Sequence, residues 1–427
     1  MFNIGQESLW VDEAISLSQT SRGFGEALYL LKTDVHPPLY TTLLWIWTTI
    51  FGQTEIAARS LSALIGTLII PATYALGKKI TSSTTGLIAA TLVTVNPFLI
   101  QYSQEARMYS LFILLGVLST YYVLDYYEKG DMKLYAIVTI LLAYTHYLSW
   151  ILIAIHGVIA SIKQPKDIRN HAGLGAILIA SYIPWITHLY EQAQNLGGVS
   201  WIPPTTYNDV ITTILTLVGG TTVFPIIFFF IILTTMYAIK NREGKTITLL
   251  SIAVTPLFLL ISISTLGDNV FVTRYIAYLS PLLILSASTG INRLNTAIKP
   301  IMVIGIILIM LPGLQTQYEE RANPSWDLVA EEIENRPVAV LPDYDMISVL
   351  YYTNKSCFTE RIHFRNNKTL SNCSNITGYT SKEAITEKTI IISPSQEKYH
   401  EPNTMTTSKY KNITTKNSPI IKIYYEE

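Results

Sequence analysis

The stretch FGQTEIAARSLSALIGTLIIPATYALGKK, residues 51–79, decides the fold class. Its run from 56 to 77 is apolar and long enough to cross a bilayer as a helix, which takes about 20 residues. A basic gap, GKK at 77–79, closes it. The same alternation recurs at EKGDMK (128–133), KQPKDIR (163–169), KNREGK (240–245) and NRLNTAIK (292–299). Cytoplasmic loops collect lysine and arginine, so all five gaps are assigned to the inside. Spans then fall at roughly 56–77, 84–100, 108–127, 134–146, 147–162, 171–190, 222–240, 246–264, 275–291 and 300–314. Two of these ten are short. They are kept because basic gaps on both sides require an even number of crossings between them.

Composition supports a polytopic helical membrane protein. The 427 residues are 49% hydrophobic and 14% charged, against about 25% charged in soluble domains. Net charge is zero, so no general attraction to nucleic acid follows. Residues 1–20 lack the basic start and apolar core of a cleavable signal peptide. Residues 37–52 open with Pro37-Pro38 and must return to their own side; they read as a helix lying in or dipping into the outer leaflet.

This topology puts four polar patches on the outer face: residues 7–36, QYSQEARMYS (101–110), the loop 191–221, and GDNVFVTRY (267–275). The chain divides near residue 314, into a membrane domain (1–314, with an external loop at 7–36) and a polar tail (315–427). Glycosylation sequons at Asn354, Asn367, Asn372, Asn375 and Asn412 all lie in the tail and require an extracytosolic face. Cys357 and Cys373 lie there too, either bonded or as free thiols. In the tail, SWDLVAEEIENR (325–336) and DMISVLYYT (345–353) read as helices, and PVAVLP and KTIIISP as strands, giving a small α/β domain.

Charges near a membrane are costly and invite a functional question. Asp12 and Glu13 open a helical pattern. They fit an N-cap with a first-turn carboxylate, and equally a general base with its neighbour. His36 stands before the double proline, where it either faces water or donates to an anion. Glu105 and Arg107 could form a solvated ion pair, and Arg274 could snorkel at a boundary. Alternatively the two arginines and His36 hold a phosphate, whose oxygens guanidinium forks match. His146, in YTHYLSW, sits in a tight outer turn and suits a structural role better than a ligand role. Trp201 with Pro203-Pro204 suits an interfacial anchor or a sugar-stacking platform.

Taken in order, SLWVDEA, DVHPPLY, FGQTEIAARSLSALIG, VNPFLIQYSQEARMYSLF, YTHY and RYIAYLSP resemble the C-type glycosyltransferases. The nearest branch is that of dolichyl-phosphate-mannose–protein mannosyltransferases and of bacterial enzymes that modify lipopolysaccharide. The resemblance covers residues 7 to about 290 and leaves the tail out. It implies an all-α polytopic fold and transfer of a sugar from a polyprenyl- or dolichyl-phosphate carrier, outside the cytoplasm and with inversion. The acceptor would be a protein, glycan or lipid. By the resemblance, Asp12 is the catalytic carboxylate with Glu13 beside it, and His36, Arg107, Arg274 and Tyr275 line the donor phosphate site. Glu105, Tyr109 and His146 are further candidates. Divalent metal (Mg or Mn) use is left open, with Asp12, Glu13 and Glu105 as oxygen donors.

The chemistry is consistent with that reading. Carrier phosphate leaves only if its growing charge is neutralised, and the acceptor hydroxyl must lose a proton as it attacks. Asp12, His36, Arg107 and Arg274 are therefore expected to converge. Relatives carry a membrane helix before the Asp-Glu pair, whereas eleven residues precede Asp12; read as complete, the chain starts outside. Two rival readings are a lipid-linked sugar transporter or flippase, which would place charges near the bilayer midplane, and an inactive, N-terminally truncated paralogue.

Overall fold

A computed structural model describes residues 4–5, 7–31, 34–195, 202–267, 269–319, 323–333, 338–341 and 345–353, with strands at 363–365, 368–370, 376–379, 389–392, 409–413 and 421–425. The helices are α1 (Val11–Thr20), α2 (Phe24–Leu30), α3 (Leu39–Phe51), α4 (Glu55–Ile80), α5 (Ser83–Thr94), α6 (Pro97–Ser103), α7 (Tyr109–Lys129), α8 (Lys133–Ala143), α9 (Ser149–Lys163), α10 (Ile168–Asn195), α11 (Tyr207–Leu217), α12 (Phe224–Asn241), α13 (Gly244–Leu266), α14 (Leu279–Ile291), α15 (Ile298–Glu319), α16 (Trp326–Ile333) and α17 (Met346–Thr353). Residues group into two compact units. The first is Met1–Ala27, Leu44–Ser60 and Thr316–Glu427; the second is Leu28–Leu43 and Leu61–Gln315.

The second unit is the helical bundle. Six helices, α4, α7, α10, α12, α13 and α15, are long and apolar enough to cross a membrane. The expected span 84–100 is broken: α5 and α6 meet at 65°. The cause is local. Pro97 disfavours helix at the residue before it, and the Asn96 side chain starts the next helix by accepting the Leu99 N–H at 3.1 Å. The expected spans at 134–146, 147–162 and 275–291 are the shorter helices α8, α9 and α14. The expected surface helix at 37–52 is the apolar α3.

Small residues let helices touch. A Cβ added at Gly77 would lie 2.6 Å from the Gly86 Cα, and one at Gly116 would lie 2.6 Å from the Tyr278 Cβ. α7 ends at Gly130, whose φ of 75° closes the helix in the left-handed conformation that glycine adopts without strain.

All five basic gaps meet at one end of this bundle. Lys79 pairs with Asp125 at 2.6 Å and Glu128 at 2.8 Å, Lys245 pairs with Glu128, and Arg293 pairs with Glu243 at 2.5 Å. Lys163 donates to the Gly244 carbonyl at 3.1 Å. α7 runs from this end, at Lys129, to Tyr109 at the other, a rise of about 30 Å at 1.5 Å per residue.

The first unit joins α1, the neighbouring ends of α3 and α4, and the tail. Its described strands, β1 (Val338–Leu341), β2 (His363–Arg365), β3 (Lys368–Leu370), β4 (Ile376–Tyr379), β5 (Thr389–Ile392), β6 (Lys409–Ile413) and β7 (Ile421–Tyr425), form one sheet in the order β2-β3-β4-β1-β5-β7-β6. β1 runs parallel to β4 and β5, and the remaining pairs are antiparallel. Both helices and both strands expected in the tail are present as α16, α17, β1 and β5. Cys357, Cys373 and the sequon residues Asn354, Asn367, Asn372 and Asn375 lie outside the described residues, as does Trp201; Asn412 lies on β6.

Candidate functional site

In the first unit, Trp10 is extended and α1 starts at Val11, so Asp12 and Glu13 fall in its first turn. Acidic groups there interact favourably with the helix dipole. Their side chains then take different paths. Asp12 is half-buried, while Glu13 is fully buried. Glu13 accepts from the Arg59 Nε at 2.8 Å through Oε1 and from its Nη2 at 2.6 Å through Oε2. Arg59 gives its remaining N–H groups to three carbonyls: Ile4 at 3.0 Å, Glu7 at 2.8 Å and Ser8 at 3.1 Å. All five guanidinium donors are thereby directed. A buried charge needs such a complete set, and a lysine could not supply it. Glu13 therefore serves the scaffold that carries Asp12.

In the second unit a cluster forms where four stretches distant in sequence meet. The loop before α3 brings Asp34 and His36. Asp34 Oδ1 lies 2.8 Å from the His36 Nδ1 and accepts the Val35 N–H at 2.6 Å. Arg107, in the bend before α7, places Nη2 3.2 Å from His36 Nδ1 and 3.5 Å from Nε2. A proton on Nδ1 satisfies Asp34, and the guanidinium then packs against the imidazole; this tautomer is assigned from the network. Arg107's backbone is held as well: its carbonyl accepts from Ser62 Oγ at 3.1 Å, and Ser62 Oγ lies 2.7 Å from the Tyr40 hydroxyl.

His146 stands at the centre. Its ring stacks on Phe112 at 4.6 Å and lies 6.0 Å from His36 and 5.0 Å from Tyr275. Arg274 shares the 3-10 turn Thr273–Ile276 with Tyr275, its Cζ 5.8 Å from that ring. His146 lies in the turn between α8 and α9. Burial, and then the charges of His36, Arg107 and Arg274, hold its imidazole well below the ordinary histidine range. It is neutral at pH 7. Its Nδ1 accepts the Leu148 N–H at 3.2 Å, so its proton is on Nε2. Among the described residues that buried N–H has no partner. Two guanidinium groups thus lie near enough to act on the neutral imidazole electrostatically, and guanidinium forks suit phosphate oxygens.

A relay from α10 holds the His36 loop. Trp185 Nε1 donates to the Tyr147 hydroxyl at 3.0 Å, and Tyr147 donates to Gln192 Oε1. Gln192 Nε2 then donates to the carbonyls of Leu31 at 2.6 Å and His36 at 3.4 Å. The motif YTHY is therefore two-sided: Tyr144 and Tyr147 bond to α10, at the Ser181 carbonyl and at Gln192, and His146 joins the cluster.

Of the four residues expected to converge, His36, Arg107 and Arg274 gather around His146 with Tyr275; Asp12 lies in the other unit. His146, which suits a structural role by sequence, is buried in its turn and packs within this cluster. Tyr109 is buried and packs edge-on against Tyr102 at 5.0 Å. Glu105 receives the Arg107 N–H on its carbonyl at 2.7 Å and the Gln101 amide on its carboxylate at 3.4 Å. Among the described residues no three His, Cys, Asp or Glu side chains come together as metal ligands, and both oxygens of Glu13 face Arg59.

Asp34, Arg59 and Gln192 were not singled out in the sequence. Asp34 stands two residues before His36 in the quoted DVHPPLY, and Arg59 interrupts the apolar run of EIAARSLSALIG. Gln192 has no local signal.

Residues 35–188 match the family model described as dolichyl-phosphate-mannose-protein mannosyltransferase. The crystal structure of ArnT from Cupriavidus metallidurans in the apo state aligns with a TM-score of 0.62 at 11% identity, covering 99% of this chain and 95% of that one. The chain has the ArnT fold. The same ArnT bound to undecaprenyl phosphate aligns at 0.58 with 10% identity and the same coverage. The archaeal oligosaccharyltransferase AglB from Archaeoglobus fulgidus, in complex with an inhibitory peptide and a dolichol-phosphate, aligns at 0.53 with 12% identity, covering 90% of this chain and 66% of that one. No curated protein matches by sequence.

Proposed function

We propose that this protein transfers a sugar from a polyprenyl-phosphate carrier to an acceptor hydroxyl at the extracytosolic surface of a membrane, with inversion. The observation that carries this reading is the cluster around His146: Arg107, Arg274 and the neutral Nε2–H. As the bond from sugar to phosphate breaks, negative charge grows on the phosphate oxygens. Preoriented donors in a water-poor site stabilise that charge most effectively. Asp34 orients His36 through Nδ1. Asp12 is the base that takes the acceptor's proton. Attack from the face opposite the leaving phosphate inverts the anomeric carbon.

Two further observations support the reading. ArnT and AglB, which share the fold, bind undecaprenyl phosphate and dolichol-phosphate respectively. The five basic gaps meet at one end of the bundle, and His146 stacks on Phe112 in the first turn of α7, at its other end. With the basic end in the cytoplasm, the cluster faces outward.

The test is incubation of membranes containing the full chain with a panel of polyprenyl-phosphate sugars, followed by mass spectrometry of the products. Transfer from at least one donor, lost in Asp12→Asn, is the expected result. Undiminished transfer by that variant would remove Asp12 as the base, and no transfer from any polyprenyl-phosphate donor would remove the reading.

A further inference from the structure

The tail, which no motif covers, grips the chain just ahead of Asp12. Residues 8–10 form no helix or strand, so their polar groups must find partners elsewhere. They find them in the tail and on Arg59. Ser8 Oγ donates to Asp327 Oδ1 at 2.7 Å and accepts the Asp327 N–H at 3.3 Å. The Ser8 carbonyl accepts from Asn323 Nδ2 at 3.0 Å and from Arg59 Nη2 at 3.1 Å. The Leu9 N–H donates to the Tyr352 hydroxyl at 2.8 Å. Burial, then the nearby Glu55 carboxylate, pushes the Tyr352 phenol above the ordinary tyrosine range, so this hydroxyl stays protonated. Ser8 and Leu9 are both buried. Close by, the Tyr351 hydroxyl donates to the Gln53 carbonyl at 3.0 Å, and α17 packs against α1.

These contacts have a directional consequence. The hydrogen bonds on Ser8 and Leu9 come from Arg59, Asn323, α16 and α17. Asp12 is the second residue of α1, four positions after Ser8. A shift of the Ser8–Leu9 segment therefore moves Asp12 with it. A displacement of about 1 Å from a productive geometry is enough to cost large factors in rate.

We infer that the C-terminal domain positions the base: Asp327 and Tyr352, with Arg59, hold the Ser8–Leu9 segment so that Asp12 meets the acceptor hydroxyl. This rests on Asp12 being the base. Tyr352, Asp327 and Arg59 are positioning residues and touch no reacting atom.

The test uses the full chain in detergent or membranes, with the donor identified by the transfer assay. Ser8→Ala removes one hydroxyl and Tyr352→Phe another, each with little change of volume. Transfer kinetics, binding of undecaprenyl phosphate and thermal midpoints are measured together. The expected result is a fall in kcat of about tenfold or more in the double variant, with the KM for donor and the undecaprenyl phosphate affinity unchanged. Unchanged kcat in S8A/Y352F, alongside an inactive D12N, would overturn the inference and leave the reading of Asp12 standing. A parallel loss of undecaprenyl phosphate binding and thermal midpoint would also overturn it, by showing a general structural role. Full transfer by D12N would fail the reading beneath it.

Discussion

Arg59 and Glu13 form a bidentate pair with side chains 4% and 0% exposed, at 2.8 and 2.6 Å. Removing one member of such a pair strands the other charge in a place without water. Glu13→Gln and Arg59→Met are each expected to destabilise the protein by about 3–5 kcal/mol. The double variant Glu13→Leu/Arg59→Met is expected to recover part of that loss, since an apolar pair leaves no unpaired charge. Thermal unfolding in detergent checks both. A single variant as stable as wild type would show that the pair is not a scaffold element.

The neutral state of His146 predicts a pH dependence. Its folded pKa lies below the ordinary histidine value, so in acid the unfolded chain binds a proton that the folded one refuses. Its contribution to stability is therefore full above a pH of about 6.5 and declines as the pH falls below it. The thermal midpoint of wild type, relative to His146→Gln, is expected to fall between pH 6.5 and 5 and to be flat from 7 to 8.

His146→Phe keeps the stacking on Phe112 and removes the Nε2–H, whereas His146→Gln keeps a donor. The first is expected to raise the donor KM about tenfold, the size of a lost hydrogen bond to a charged group, and the second less. Donor titrations of the transfer reaction measure both. Equal KM values for His146→Phe and wild type would exclude a contact to the carrier.

The relay from Trp185 to His36 has fixed polarity, because Gln192 must donate on one side and accept on the other. Gln192→Glu would turn a carboxylate toward the carbonyls of Leu31 and His36. It is expected to raise the donor KM by about tenfold or more, and Gln192→Leu by less. In a His36→Ala background the two losses should fail to add, because they act through one loop.

At Gly116 two elements touch. A Cβ there would lie 2.6 Å from the Tyr278 Cβ, and Tyr278 is fully buried. Gly116→Ala is expected to lower stability by about 1–3 kcal/mol through overpacking, even though alanine is the better helix former by about 1 kcal/mol. A thermal shift assay gives the sign.

The spans were legible because hydrocarbon imposes length and composition on a helix, and the basic gaps were legible because they punctuate it. The break at Asn96–Pro97 was written in VNPF, but apolar residues continue on both sides and masked it. Arg107, Arg274 and His36 were legible as rare charges in an oily chain. The different fates of Asp12 and Glu13 were not, since adjacent helical residues point about 100° apart and only the partner, 46 residues on, selects which one is buried. His146 was legible as a structural residue of its turn, but its neighbours were not, since the Phe112 ring it stacks on comes from a different helix. Gln192 bonds to a loop 161 residues away, and no local pattern announces that contact.

Binding tests, without any acceptor, whether the cluster around His146 holds the phosphate of a polyprenyl carrier. Undecaprenyl phosphate is titrated into the purified full chain and into Arg107→Gln and Arg274→Gln. Saturable binding, weakened about tenfold or more in each variant at an unchanged thermal midpoint, is the predicted result. Equal affinity in all three proteins would contradict it.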